Sequence, residues 1–396
     1  MYKKPFSGED GLMKTYKNIA VIGAGPAGSL SAHLLALKGF KVTLYDKNLK
    51  AKRKVCGEYL CPLGVSLLHQ LNLEHILQDF EPVYGMKISS PYYTSFLSFF
   101  PNAKNQLNYG AAVNRQLFDQ RLRDLAGKNT KTYFGSNIIN IEKTEQGWRL
   151  ITENGSMEYD LIIAADGIFS PIAKRLGHLK NQQYNRVALH VYLPLRNKKH
   201  YSRLGQMHIF KDGSYAGIDP INENEINFSI VCSKNILKNS SPKDVINYYI
   251  ESSPQLRASF DKIDSSVKVH SLGKIKNKNT FIAGNDLAYV GDSSGFIDPL
   301  TGEGMYNALM GAKLLCDNLT FHPTEEGLIK YKKQKKKYFF EKNLLNTFFQ
   351  LLIRSPLGCE LVARFLKNKQ DRANTFIGII GNIYKPLEGV KKLLWS

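Results

Sequence analysis

The chain has 396 residues, 43% of them hydrophobic and 22% charged, a composition that excludes a disordered tail, a collagen-like repeat or a disulfide-stapled miniprotein and leaves room for two or three domains. Fifty-four basic against 34 acidic residues give a formal charge of +20. The excess is concentrated at one end, because residues 330–396 carry 15 Lys and Arg against 4 Asp and Glu.

In chain order the first strong signal is the apolar strand Ile19-Ala20-Val21-Ile22, followed at once by Gly23-Ala24-Gly25-Pro26-Ala27-Gly28 and a helical run to about Lys38. A dinucleotide fingerprint needs this context. Gly23 permits the tight turn, Gly25 lets a pyrophosphate approach the backbone, and Gly28 lets helix and strand pack closely, with the phosphates at the positive helix end. A second strand, Lys41 to Tyr45, ends in Asp46 and Lys47, where the Asp46 carboxylate can accept from the ribose hydroxyls of an adenosine. Next come Arg53-Lys54-Val55-Cys56-Gly57-Glu58, then a helix opening at Arg115, and a strand Asn137 to Ile141 whose Ile138 falls on the adenine side. The buried strand Asp160 to Ala165 ends in Asp166-Gly167.

Alternating strands then follow with turn signals between them: Val187 to Leu195, Gln206 to Phe210, Tyr215 to Ile218 and Ile226 to Cys232, with a proline-opened helix from Ser241. They predict an antiparallel sheet lying as a roof over the nucleotide site. A further strand, Ala288 to Val290, leads to Gly291-Asp292 and on through Pro299, Gly302, Gly304 and Met305 into a helix reaching about Leu319. Asp292 at the strand end can accept from a ribityl hydroxyl, and the small-residue turn at Gly302 and Gly304 lets backbone lie against a flat ring. Beyond it the chain turns helical. Thr324 is placed to cap a long helix bearing Lys330, Lys332, Lys333, Lys335, Lys336 and Lys337, followed by Phe339, Phe340, Leu344, Leu345, Phe348, Phe349, Leu351 and Leu352. That stripe reads either as packing on the body with the lysines solvated, or as a basic, apolar-edged surface for anionic lipid. No nucleic-acid motif accompanies the charge, so nucleic acid is not expected as a partner.

The glycine loop, the Asp166-Gly167 strand end and the Gly291-Asp292 segment, in this order, resemble the FAD-dependent aromatic hydroxylase superfamily of para-hydroxybenzoate hydroxylase fold. Within it, Arg53 to Glu58 and the long segment after Asp292 resemble the geranylgeranyl reductase family. The resemblance covers about residues 17 to 320 and implies an α/β fold: a Rossmann-type FAD-binding domain with an inserted antiparallel-sheet substrate domain and a helical C-terminal region. The expected FAD-binding domain is discontinuous, residues 15–80, 105–178 and 280–322, with 81–104 and 179–279 forming the substrate domain and 323–396 the helical region. FAD contacts are expected from Gly23, Gly25, Pro26, Ala27, Gly28, Asp46, Lys47, Arg53, Cys56, Gly57, Arg115, Ile138, Asp166, Gly167, Gly291, Asp292, Pro299, Gly302, Gly304 and Met305.

The family implies a reductase that saturates a carbon–carbon double bond of a lipophilic, isoprenoid-like or secondary-metabolite substrate. The superfamily equally allows a monooxygenase hydroxylating an aromatic or lipophilic substrate. Cys56 and Tyr215 are the catalytic candidates, Cys56 as an acid or a packing group at the flavin face and Tyr215 as a proton donor. The family's Tyr-x-Trp-x-Phe-Pro motif is only half kept: Tyr215 and Pro220 stand, but Gly217 and Asp219 replace the Trp and the Phe, which implies a pocket of different shape. The electron donor is left open, NAD(P)H being one option without a second fingerprint to hold it. Five cysteines, Cys56, Cys61, Cys232, Cys316 and Cys359, have no Cys-x-x-Cys pair and no His-rich spacing, so no metal site is expected. With no apolar leader and no apolar run of about 20 residues, the expected location is the cytoplasm, with peripheral contact at the inner face of the membrane through residues 330–396.

Overall fold

The computed structural model describes residues 15–104, 106–179, 185–196, 201–264, 266–273, 279, 281–296, 300, 302–381, 383–384 and 386–395. The strand Asn18–Ile22 is flanked by Lys41–Asp46 and Leu161–Ala164, both parallel to it, with Ile19 opposite Val42 on one side and Leu161 on the other. Lys131–Phe134 and Leu287–Tyr289 extend this sheet outward in parallel, and the short strand Ala283–Gly284 closes one edge. Both faces are covered, as a parallel sheet of continuous apolar strands requires. Helices Pro26–Leu37, Arg115–Gly127 and Gly304–Phe321 pack together on one side. On the other lies a three-stranded antiparallel sheet, whose Ile141, Trp148, Leu150 and Tyr159 join Ala20, Ile22 and Tyr45 in one core.

A separate seven-stranded sheet forms the second body of strands. Its order is His270–Gly273, Arg186–Pro194, Glu225–Ser233, Tyr215–Pro220, Leu204–Ile209, Gly85–Ser89 and Ser95–Phe99. Strand alternation sends one set of side chains back into a core with helix Pro242–Ser252, whose Ser241 and Asp244 form a capping box. The other set faces inward, over the carboxyl ends of the parallel strands.

The C-terminal region is helical: Glu325–Leu352, Pro356–Lys367, Gln370–Ile380 and Pro386–Trp395. Thr324 stands at the N-cap of the first, though its side chain makes no capping bond, whereas Ser355 caps the second by accepting from Gly358 N. The long helix divides its apolar stripe between two surroundings. Phe349 is buried and packs with Leu345 and Leu352 against Tyr215, Val231, Leu300 and Ile353. Phe340, Leu344, Phe348 and Leu351 are exposed to solvent. Among the described residues no helix is long and apolar enough to cross a membrane.

Candidate functional site

A single cavity of about 810 Å3 runs from the carboxyl ends of the parallel strands, under the inner face of the seven-stranded sheet, to the C-terminal helices. Its first half is the glycine loop. Gly23 holds a left-handed φ of +100°, and a Cβ there would stand 2.4 Å from the Ala165 carbonyl oxygen. Gly28 faces away from the cavity and is a packing residue, since a Cβ on it would lie 1.8 Å from the Gly23 oxygen. Gly25 is different. Its backbone is ordinarily extended, and an added Cβ would meet only the flexible Lys54 amine at 3.2 Å. Helix Pro26–Leu37 has no side-chain cap and no acid in its first turn, so its positive end is open to an anion from the cavity side.

The Asp46 carboxylate is engaged by backbone N–H groups. Its Oδ2 accepts from Ala24 N at 2.8 Å and its Oδ1 from Asn48 N at 2.7 Å, which pins the glycine loop to the end of the second strand. Lys47 and Ile138 line the cavity beside it. Asp166 also lines it, but the Asp166 carboxylate is occupied locally, accepting from the Ser170 hydroxyl and from Ile172 N and so starting the short helix Pro171–Arg175. Burial raises its pKa against these two bonds. Gly167, Gly291, Asp292, Gly302, Gly304 and Met305 border the same space, and a Cβ at Gly304 or Gly167 would meet no protein atom within 4 Å. An uncapped helix end, the cavity-lining acids Asp46 and Asp292 and an open, glycine-edged slot therefore fit a flavin dinucleotide. Pro299 lies outside the described residues.

Behind the Gly291–Ser294 turn sits a buried lysine where the sequence predicts a solvated one. Lys335 is 7% exposed and its ammonium donates to the Ser294 hydroxyl, in electrostatic contact with the half-buried, cavity-lining Asp292. Burial lowers its pKa to about 7, with Asp292 opposing the shift. A lysine whose folded pKa is depressed destabilises the fold below that pKa, and the penalty vanishes once pH exceeds the unfolded value of about 10.4. Lys335→Met is accordingly expected to raise the Tm at pH 6 and to have little effect near pH 10.5, as read by calorimetry across that range.

The Arg53 to Glu58 segment crosses the middle of the cavity. The Arg53 guanidinium stacks 4.2 Å over the Tyr192 ring. Arg115 lines the cavity and is ion-paired rather than free, with Nε and Nη2 on the two Asp119 oxygens at 2.9 and 3.1 Å and Nη1 donating to Cys56 Sγ at 3.3 Å. Burial works against the Arg115 charge, but Asp119 and then Cys56 outweigh it and keep the guanidinium protonated. Cys56 Sγ also accepts from Glu58 N at 3.3 Å, so the sulfur is held as an acceptor, with Gly57 beside it on the cavity wall. Glu58 is fully buried, accepting from Arg115 N at 3.0 Å and from the Tyr192 hydroxyl at 2.5 Å. Burial raises the Glu58 pKa, and the two hydrogen bonds restrain it.

The far half of the cavity is apolar, walled by Met207, Ile209, Phe349, Leu352, Val362 and Phe376. Tyr215 stands in this half, buried among Val231, Leu300, Phe349 and Ile353. It is therefore separated from Cys56, which belongs to the polar middle of the site. Between them the sheet presents Gly217 and Ser229, and a Cβ at Gly217 would meet Ser229 Oγ at 3.4 Å. A side chain at the tryptophan's place in the family motif would therefore stand in contact with Ser229 at the cavity wall. Glu58, Tyr192, Asn227, Asp219 and Lys335 are the site residues that motif reading did not select.

The fold and the cradle define a dinucleotide-binding protein of the Rossmann type with a roofed second chamber. A family model described as FAD binding domain matches residues 16–336, and the chain belongs to that family. It is an FAD-dependent oxidoreductase. Its sequence is 26% identical over 383 residues to digeranylgeranylglycerophospholipid reductase 1 of Methanosphaera stadtmanae, covering 94% of this chain and 90% of that relative. Its structure is similar to the geranylgeranyl bacteriochlorophyll reductase-like protein of Thermoplasma acidophilum, with a TM-score of 0.74, 22% identity and coverage of 96% and 99% of the two chains. The flavin-dependent brominase Bmp2 shares the fold at a TM-score of 0.79 and 18% identity, covering 96% of this chain and 97% of that one.

Proposed function

We propose that this oxidoreductase reduces a carbon–carbon double bond of a lipophilic, isoprenoid-like substrate. The observation that carries the reading is the continuity of one cavity from the glycine cradle into a chamber walled by Met207, Ile209, Phe349 and Leu352. An elongated apolar molecule placed there would be stripped of water along its length, at about 25 cal/mol per Å2 buried. The names of the reductase relatives support a prenyl chain as the occupant.

In this reading residues 15–80, 105–178 and 280–322 hold FAD and the seven-stranded sheet roofs the substrate. Gly23, Gly25, Pro26 and Ala27 take the pyrophosphate at the helix end, Asp46, Lys47 and Ile138 the adenosine, and Asp292 the ribityl chain. Gly302, Gly304 and Met305 bring the positive end of helix Gly304–Phe321 to the ring edge, which favours negative charge there by about 0.3 to 2 kcal/mol. Asp166 and Gly167 shape the wall behind the dinucleotide. Arg53, Cys56, Gly57 and Arg115 form the rigid segment facing the ring, while Tyr215 closes the apolar end. FAD, once reduced, supplies a hydride. The protein's own part is to exclude water, align the alkene and hold the proton that must accompany the hydride. We further propose that residues 330–396 seat the molecule on an anionic membrane surface, from which such a substrate is drawn.

The test is anaerobic. Photoreduced enzyme mixed with geranylgeraniol without oxygen is expected to reoxidise and to yield a product heavier by 2 mass units per bond, about what adding H2 requires. Reoxidation that occurs only when oxygen is admitted, with oxygen in the product, would replace this reading with the monooxygenase.

A further inference from the structure

Reducing an alkene takes one hydride and one proton, and the proton needs a donor in a cavity built to exclude water. Cys56 Sγ accepts from Glu58 N and from the Arg115 guanidinium in the polar middle of the site. Tyr215 lies at the apolar end, four residues along the strand from the polar middle, or roughly 13 Å at the usual strand rise. The inner face of the sheet offers another group. Registers across the strands put Met86, Gly205, Asp219, Asn227 and Tyr192 in one row. Tyr192 is the residue that hydrogen-bonds Glu58, and Asn227 Nδ2 donates to the Cys56 carbonyl at 3.1 Å. The row thus ties the roof to the Cys56–Glu58 segment.

Two buried oxygens of this row, Asn227 Oδ1 and Asp219 Oδ1, have no hydrogen-bond partner among the described residues, and Asp219 is the ionisable one. It borders the cavity and is 5% exposed. A carboxyl group left in this condition opposes folding, because its lost hydration is not replaced. Room has been kept for it. A Cβ at Gly205 would stand 2.9 Å from Asp219 Oδ1, and two residues away Gly217 leaves the sheet surface bare. Where the reductase motif has a phenylalanine, this chain has an ionisable group.

Resting on the reductase reading, we infer that Asp219 is the catalytic acid that protonates the alkene carbon. In that step the alkene π pair forms the new C–H bond to the carboxyl proton. The O–H bond pair stays on Asp219 as a carboxylate, the neighbouring carbon takes the hydride from the reduced flavin, and solvent returns the proton to Asp219 between turnovers. The surroundings keep the acid loaded. Burial, then the nearby Glu58 charge, pushes the Asp219 carboxyl up to about 8. Tyr59 is the other titratable group in electrostatic contact with it, and the flanking strands contribute Gly205, Met86 and Asn227, none of which titrates.

Two measurements test this. The first needs no turnover and no flavin. Infrared difference spectra of the FAD-free protein at pH 6.5, wild type minus Asp219→Asn, are expected to show a protonated-carboxyl C=O band that disappears above pH 9; no such band overturns the proposal. The second follows anaerobic reoxidation of photoreduced holoenzyme by geranylgeraniol. Asp219→Asn, matched to wild type in FAD content and photoreduction, is expected to slow it at least 100-fold, with partial recovery in Asp219→Glu and a wild-type rate that declines above pH 8. A variant that reoxidises at the wild-type rate shows that the proton comes from elsewhere. If wild type itself is not reoxidised by the alkene, the reductase reading fails, and the donor role falls with it even where the infrared band is present.

Discussion

Gly25→Val is expected to give a folded protein that has lost its yellow colour. At Gly25 the backbone has φ −77° and ψ −175°, a conformation any residue adopts, and an added Cβ meets only the end of the Lys54 side chain at 3.2 Å. The substitution leaves the fold alone and fills the approach to the open helix end, where a pyrophosphate would have to sit. Gly28→Ala should behave in the opposite way. Its Cβ would be driven to 1.8 Å from the Gly23 oxygen, so strand and helix must separate, at a cost of at least the 1 to 3 kcal/mol typical of overpacking. The pair separates cofactor loss from unfolding. Absorbance at 450 nm against 280 nm reports flavin content, and a thermal melt of the flavin-free protein reports stability. Stoichiometric FAD in a folded Gly25→Val protein would remove the pyrophosphate from the glycine loop.

The legible parts of this molecule are those in which one short segment carries its own requirement. Gly23 announces a left-handed backbone and Gly28 a contact too close for a side chain, and Asp46 stands at a strand end whatever the remaining chain does. The polar row under the roof has no such local signature. Asp219, Asn227 and Tyr192 lie on three strands and become neighbours only through register, while Glu58 reaches Tyr192 across 134 positions of sequence. The departure of Asp219 from the reductase motif was visible in the sequence, yet it read as a change of pocket shape, because nothing in the sequence shows that the carboxyl would be left without a partner. Lys335 was illegible for a different reason. In a run of six lysines it looks solvated, and the aromatic and aliphatic residues that follow occupy both sides of the helix, so periodicity could not tell the buried side. The structure supplies the phase: Leu328, Tyr331, Lys335 and Phe349 share the buried face, and Asp292 opposite is what makes a lysine tolerable there.

The same phase sharpens what the basic C-terminal region should do at a lipid surface. Opposite the buried face, Lys333, Lys336, Lys337, Phe340, Leu344, Phe348 and Leu351 are all exposed. At 100° per residue they fall within one sector of helix Glu325–Leu352, basic at its start and apolar toward its end. Helix Pro356–Lys367 adds the exposed Leu357 and Leu361, and its Val362 and Ala363 line the cavity. Charge and apolar area together are the two signals that stable peripheral binding requires, with about 1 kcal/mol per lysine near an anionic surface. Wild-type holoenzyme is therefore expected to sediment with vesicles of phosphatidylserine and phosphatidylcholine at low salt and to be released as ionic strength passes about 0.15 M, where the Debye length is about 8 Å. Vesicles of phosphatidylcholine alone should retain little. Exchanging Lys333, Lys336 and Lys337 for Gln should weaken sedimentation at least tenfold with FAD content unchanged, and Phe340→Ser with Phe348→Ser should weaken it without altering its slope on salt. Lys335 is left intact in these variants because it is buried behind Asp292, where its loss would report on the fold. A protein that stays in the supernatant with anionic vesicles at low salt would end the membrane reading and leave the exposed apolar sector to some other partner.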